Sequence, residues 1–361
     1  AASSDYPLRD VYKRQLPRSE GNLVLVGAGP GLEDCLAVLA KYRERYILWA
    51  LSSALRALGH SGISPDVIVS SDAGYWAGRH LEYISGLPAT RRAPIVLAPT
   101  RAMLRPFWSN STISVGLFSL DLPLENQWAS DLAENNDNGI LLAHLPDRGT
   151  VAITAMDLVR KTHRGSLYLI GMDFAWKDVQ SHVRPHTFSE LAANSGSRIS
   201  GLENQLFVSR EQRPSRPAGK GWYSVETLDI YRKWLAENQL FAEMPIFDYN
   251  PSGVYKSLPE IGFAELSMAL SQGSKITFLP GDRIQVVSSD YRKKLLRQKL
   301  EMQADELTLS DLNNSQVRLL LCMLCPFAFR KFQSNVINEK ELRSAAKASL
   351  MAIGNAGTWY G

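Results

Sequence analysis

Apolar residues in this chain fall into short runs separated by amphipathic stretches, and the first repeat of that pattern sets the frame for the rest. Leu23-Val24-Leu25-Val26 has the length and β-branched content of a buried parallel strand. Leu32 to Tyr42 then places Leu32, Cys35, Leu36, Leu39 and Ala40 at helical spacing. Tyr46–Ala50, Pro65–Ser70, Pro94–Ala98, Ile113–Leu117 and Ser166–Gly171 read as further strands, with helices over Ala54–Leu58, Trp76–Ile84 and Val151–Lys161. Alternation of this kind predicts an α/β fold with a doubly wound, mostly parallel sheet. Asp121 to Asn138 lacks an apolar stripe and reads as a loop or a surface helix. Lys177 to Gly221 is polar, with prolines at 185, 214 and 217, as lids and binding loops often are. Tyr223–Leu240 reads as helix, Pro245–Tyr255 as strand and turn, and Ser257–Gly361 as mostly helix with a break at Ile276–Gly281. No internal repeat is visible. The expected division is a disordered or non-native tail over 1–20, an α/β domain over 21–215 and a mainly helical C-terminal region over 216–361.

Composition changes this picture little. A chain of 361 residues has room for one large α/β domain and a smaller one. Forty Lys and Arg against 36 Asp and Glu give a net charge of +4. That mild balance, without clustered basic residues, argues against nucleic acid and is compatible with anionic small substrates. Cys35, Cys322 and Cys325 form no disulfide framework, and the Cys322-Met-Leu-Cys325 pair sits in the apolar run VRLLLCMLCPFAF as buried helix thiols would. That run is too short to span a bilayer and contains Arg318 and Pro326. The first residues are polar, show no leader-type apolar core and begin without Met, as a fragment would. These features predict a soluble, cytoplasmic protein with no membrane span.

The candidate chemistry lies where strands end, the place ligands gather in an open parallel sheet. After the first strand comes Gly27-Ala28-Gly29-Pro30-Gly31, whose glycines can take positive φ and let a ligand approach the backbone. Strand, glycine turn and helix start together predict free amides and a positive helix end for a phosphate, although Glu33 and Asp34 in the first turn would repel one. The alternative is a glycine turn selected for tight packing. Pro30 suits the first helical turn. Further strand ends carry Ser52-Ser53, Ser70-Ser71-Asp72 and Asp173. Ser52 and Asp72 are equally readable as helix caps, and Asp72 alternatively as a ribose or metal contact. Gly149-Thr150 opens a helix with Thr150 as its N-cap and offers a second anion locus. A dinucleotide site is disfavoured, because the second strand ends Trp49-Ala50-Leu51-Ser52 without an acid, and Leu32 stands where the third glycine belongs.

Four stretches together, VGAGPGLE, SSALRALGHSGISPDVIVSSDAG, GTVAITAMDLV and LYLIGMDFAW, with a later histidine, resemble the MptE-like domain family. That family includes archaeal 6-hydroxymethylpterin diphosphokinases and the bacterial motility accessory factors that glycosylate flagellin. It is similar in its Rossmann-like fold to sialyltransferases that use CMP-sugars. The resemblance covers about Gly21 to Arg184. Its first motif, G-x-G-P-S-L, has Gly31 here in place of Ser. Its D-L-A-Y-T-G-G-x-T-H falls without gaps on Asp173 to His182, keeping Asp173, His182 and an aromatic at Trp176 but not the glycine pair. The Pro251-Ser252-Gly253-Val254 stretch is similar to the family's late glycine segment. The resemblance implies a nucleotide- or nucleotide-sugar-binding transferase with a CMP-linked donor, contacts from Gly27 to Gly31, Ser52, Ser53, Asp72, Gly149, Thr150 and Trp176, and a protein acceptor such as flagellin. His182 is the implied acid–base residue with Asp173, His186 a weaker alternative, and Arg184 or Arg198 a phosphate partner. Under the diphosphokinase alternative, Asp72 and Asp173 hold Mg with ATP. A non-catalytic nucleotide-binding module is the third reading.

Overall fold

The computed structural model describes residues 21–72, 75–87, 94–99, 114–121, 143–194, 196–198, 200–212, 215–219, 221–237, 244–254, 258–274, 311–312, 317–318, 321 and 325–356. Strands β1 (Leu23–Val26), β2 (Ile47–Leu51), β3 (Val67–Val69) and β4 (Ile95–Pro99) alternate with helices, β5 (Ser114–Leu120) and β6 (Ala143–Leu145) follow, and a helix separates β6 from β7 (Leu167–Ile170). After β8 (Trp176–Lys177), β9 (Arg216–Gly219) and β10 (Trp222–Ser224) comes a last strand, β11 (Ile246–Tyr249). Eight of these build one sheet in the order β11-β7-β1-β2-β3-β4-β5-β6, with every neighbouring pair parallel. β8, β10 and β9 form a small antiparallel sheet.

Both faces of the large sheet are covered, which is why its central strands β1, β2 and β3 are apolar at every position rather than alternately. Val24 and Val26 face the side packed by α1 (Leu32–Lys41), α2 (Leu55–His60) and α8 (Phe263–Gln272). Leu23 and Leu25 face the side packed by α4 (Val151–Thr162) and α7 (Glu226–Glu237). The remaining described helices are α3 (Tyr75–Leu81), α5 (Thr187–Asn194), α6 (Leu202–Glu211), α9 (Pro326–Gln333) and α10 (Glu339–Ala356). α9 and α10 carry their own apolar cluster around Phe329, Leu342 and Ala346. No helix of the described residues is long and apolar enough to cross a membrane.

Two expectations change. The division at 215/216 would cut the large sheet, because β11 from the later segment pairs with β7 as its edge strand. The polar stretch 177–221 is not one long loop. It holds α5, α6 and β9, and α6 is only weakly amphipathic. β6, only three residues long, was not anticipated. Ala1–Glu20, Cys322, nearly all of Asp121–Asn138 and the break at Ile276–Gly281 lie outside the described residues. Cys325 is buried, as expected of a helix thiol, and caps α9.

Candidate active site at the sheet's switch point

The strands from β1 to β6 run to one side, and β7 then returns to the other side of β1. A crevice opens where the winding reverses. There the structure has a cleft of about 570 Å³, lined by Gly27–Gly29 after β1, Leu51 at the end of β2 with Ser53 beyond it, and Gly171–Trp176 after β7. Ala152 at the start of α4, Val225–Leu228 at the start of α7, Ser181 and His182 complete it.

The glycine turn is built differently from expectation. The Gly27 amide donates to the Ile170 carbonyl (2.8 Å), the Gly29 amide to the Gly171 carbonyl (2.8 Å) and the Gly31 amide to Asp173 Oδ2 (2.8 Å). The amides of Gly27, Gly29 and Gly31 are therefore spent inside the protein. None of these glycines has a left-handed φ, and Gly31, the N-cap of α1, sits at φ −63°. Their need is steric. A Cβ at Gly27 would lie 2.5 Å from the Gly171 oxygen, at Gly29 2.2 Å from Asp173 Oδ2, and at Gly31 2.5 Å from Asp173 Oδ1. Pro30 precedes the helix instead of opening it. The carboxyl group of Asp173 thus occupies the position at the start of α1 expected for a ligand anion.

Asp173 is 1% exposed, and Oδ1 has no hydrogen-bond partner among the described residues. Burial pushes its carboxyl up to about 7, the Gly31 bond pulls the other way, and Asp34 adds to the rise. The turn that carries it bends sharply. Gly171 takes φ +69°, and a Cβ there would lie 2.6 Å from the Gly27 oxygen, so only glycine fits. Phe174 (φ 45°) and Asp178 (φ 52°) are left-handed without being glycine, a strain that concentrates at working sites. Arg232 braces the bend by donating to the Phe174 carbonyl at 3.0 Å.

His182 hangs on a loop latched to the same turn. Val183 N–H donates to the Ala28 carbonyl (2.8 Å), and Glu33 Oε1 accepts from the Gln180 side chain and from Arg184 N–H (2.8 Å). Glu33 therefore serves the loop and faces no ligand phosphate. Ser181 Oγ lies 2.8 Å from His182 Nδ1. Behind His182 sit His186 and His80. Burial, with the charges of His182, His80 and Arg56, holds His186 down to about 2, and burial holds His80 at about 4 against the pull of Asp72.

Of the residues singled out by sequence, Gly27, Ala28, Gly29, Ser53, Asp173, Trp176 and His182 line the cleft. Pro30, Gly31, Ser52, Asp72, Gly149 and Thr150 are not part of its lining. Gly149 takes φ 69°, and its carbonyl accepts from Tyr231 OH at 2.9 Å. Thr150 is the N-cap of α4 without a side-chain cap bond. Asp72 is exposed beside His80 and does not meet Asp173 in the cleft. With Asp173 Oδ2 committed to Gly31, the two aspartates do not fit a shared Mg site, and no group of three or more metal-ligating side chains occurs among the described residues. Sequence reasoning missed Gly171 and the start of α7. A glycine closing a buried strand was the available signal for the first. The second comes from far along the chain and gave none.

The fold and cleft define a doubly wound α/β domain with an open crevice at the topological switch point. Residues 6–179 match the family model described as 6-hydroxymethylpterin diphosphokinase MptE-like. Two uncharacterised proteins of Treponema pallidum (strain Nichols) are similar to it. One is 30% identical over 189 residues, covering 50% of this chain and 37% of the relative. The other is 23% identical over 182 residues, covering 50% of this chain and 30% of the relative. The chain thus spans about a third of the length of these relatives. A solved MAf glycosyltransferase from Magnetospirillum magneticum AMB-1 shares the fold over 99% of this chain and 59% of its own, with a TM-score of 0.50 and 14% identity.

Proposed function

We propose that the protein is a nucleotide-sugar-dependent glycosyltransferase of the motility accessory factor type. Its donor is a CMP-linked sugar of the nonulosonic acid class, and its acceptor is a protein such as flagellin or a glycan. The observation that carries this reading is the cleft at the switch point, with His182 held on its rim by the latch to Ala28 and Glu33. Glycosyl transfer needs a base for the acceptor hydroxyl and help for the departing phosphate. His182 takes the hydroxyl proton or returns one to the phosphate. With the amides of Gly27, Gly29 and Gly31 spent, the leaving phosphate is stabilised from across the cleft, where the start of α4 presents its positive end at Ala152. Trp176 offers an aromatic wall for the base, and Asp173 fixes the turn against β7.

The family description favours one competing reading, a diphosphokinase using ATP and Mg. Thermal shift against CMP, CMP-sugars, ATP with Mg²⁺ and S-adenosylmethionine separates the two, because a ligand that binds the folded state raises its apparent stability. Stabilisation by CMP and a CMP-sugar, followed by transfer to an acceptor, supports the glycosyltransferase. Selective stabilisation by ATP with Mg²⁺ overturns it in favour of the diphosphokinase. Silence from every nucleotide leaves a non-catalytic module.

A further inference from the structure

His182 leans on a second imidazole. The rings of His182 and His186 lie parallel, with centroids 4.1 Å apart and an angle of 7° between planes. His186 is 1% exposed, and its Nδ1 accepts the Phe188 amide at 3.3 Å. A nitrogen that accepts a backbone N–H carries no proton, so His186 is the neutral tautomer with its proton on Nε2. That Nε2 is buried and has no hydrogen-bond partner among the described residues. Such an orphan is rare and needs a reason.

The surroundings lock this ring. His80 packs at 5.2 Å and 50°, tied through Nδ1 to Thr187 Oγ1 at 3.0 Å. Phe188 stands edge-on to His186 at 5.0 Å and to His182 at 5.7 Å. The charged groups facing this cluster are Arg56 from α2, which pairs with Glu190 of α5, and Asp72, which acts on His80.

We infer that His186 is a positioning residue for His182: a buried, uncharged plate that fixes the plane of the ring presented to the cleft. The inference rests on the assignment of His182 above. An imidazole here supplies two things at once, a flat face for His182 and an acceptor for the turn that starts α5. Two substitutions separate them. His186→Phe keeps the flat face and loses the acceptor. His186→Asn keeps an acceptor two residues before Phe188 and loses the face.

The test uses the full chain, labelled with ¹³C-histidine, and a CMP-sugar as donor. His186→Phe is expected to hold kcat within about threefold of the parent. His186→Asn is expected to lower kcat roughly 10- to 100-fold with KM for the donor unchanged, the scale on which a misplaced catalytic group loses rate. The His182 Cε1–H resonance should keep its ring-current shift in the Phe variant and lose it in the Asn variant. Asn equal to the parent, Phe as impaired as Asn, or a His182 resonance unmoved in both variants overturns the inference. If the parent turns over no CMP-sugar, the function proposed above fails, and the resonance alone decides the plate: moved in Asn only supports it, any other pattern overturns it. Should neither variant fold, the parent still decides. A His186 ring that titrates between pH 5 and 8 refutes the fixed neutral plate, and one that does not supports it.

Discussion

Replacing Asp173 by Asn tests the central packing of the site. In the folded protein Oδ2 accepts the Gly31 amide, Oδ1 is buried without a described partner, and the carboxyl is pushed up from 3.8 to about 7, chiefly by burial. In the unfolded chain it ionises normally. Between about pH 4 and pH 7 the folded state therefore holds a proton that the unfolded state has lost, and stability falls as pH rises through that window. Each pH unit in it is worth about 1.4 kcal/mol. Asn has nearly the same shape and cannot ionise. Its stability relative to the parent should increase by about 2–3 kcal/mol between pH 5 and pH 8 and level off above the folded-state value. Urea unfolding at pH 5, 6, 7 and 8 reads this directly. With a slope of about 2–3 kcal/mol per molar, the gap between midpoints should widen by about 1 M. All other titrating groups are common to both proteins and cancel in the difference. A gap that stays constant across the range means that Asp173 ionises as it does in water, and the buried-staple account of the glycine turn is then wrong.

Three further outcomes follow from the same geometry. Gly29→Ala puts a Cβ 2.2 Å from Asp173 Oδ2 and 2.7 Å from the Gly171 oxygen, and should destabilise the fold by about 1–3 kcal/mol; an unchanged melting temperature contradicts the packing role. Glu33→Ala removes the acceptor shared by Gln180 and Arg184, and should lower turnover about tenfold while costing under about 1 kcal/mol of stability, with faster amide exchange at Arg184 as the local signature. His182→Ala should abolish turnover, by about 10²- to 10⁴-fold, and leave CMP binding by calorimetry intact; retained turnover removes its assigned role.

The parallel sheet was legible because a strand covered on both faces is apolar throughout, and runs such as Leu23–Val26 and Leu167–Ile170 stand out against polar connections. What escaped was the place of β11 in the sheet, although Pro245–Tyr255 reads as strand and turn, and the existence of β6 and α6. β11 reads Ile-Phe-Asp-Tyr, with Asp248 buried beside Glu260, and nothing local says that it completes the sheet next to β7. β6 is three residues long, below the length at which a periodic pattern exists. α6 presents Phe207 and Val208 to solvent, so its sequence lacks the stripe that marks a helix on a core.

The site was half legible for a different reason. Gly27, Ala28, Gly29, Ser53, Asp173, Trp176 and His182 do meet in one cleft, because strand ends in a doubly wound sheet converge whatever the loops do. The role of the glycines did not follow from that. A glycine-rich turn at a helix start marks a place where something must come very close to the backbone, and sequence does not say whether that partner is a phosphate or a side chain of the same chain. Here it is Asp173, 142 residues away from Gly31. The acids at 33 and 34 were the local warning, since a phosphate at that helix end would face both. Once the Asp173 side chain fills the positive end of α1, that helix start is closed to a ligand's negative charge, and α1 becomes a scaffold for the histidine loop.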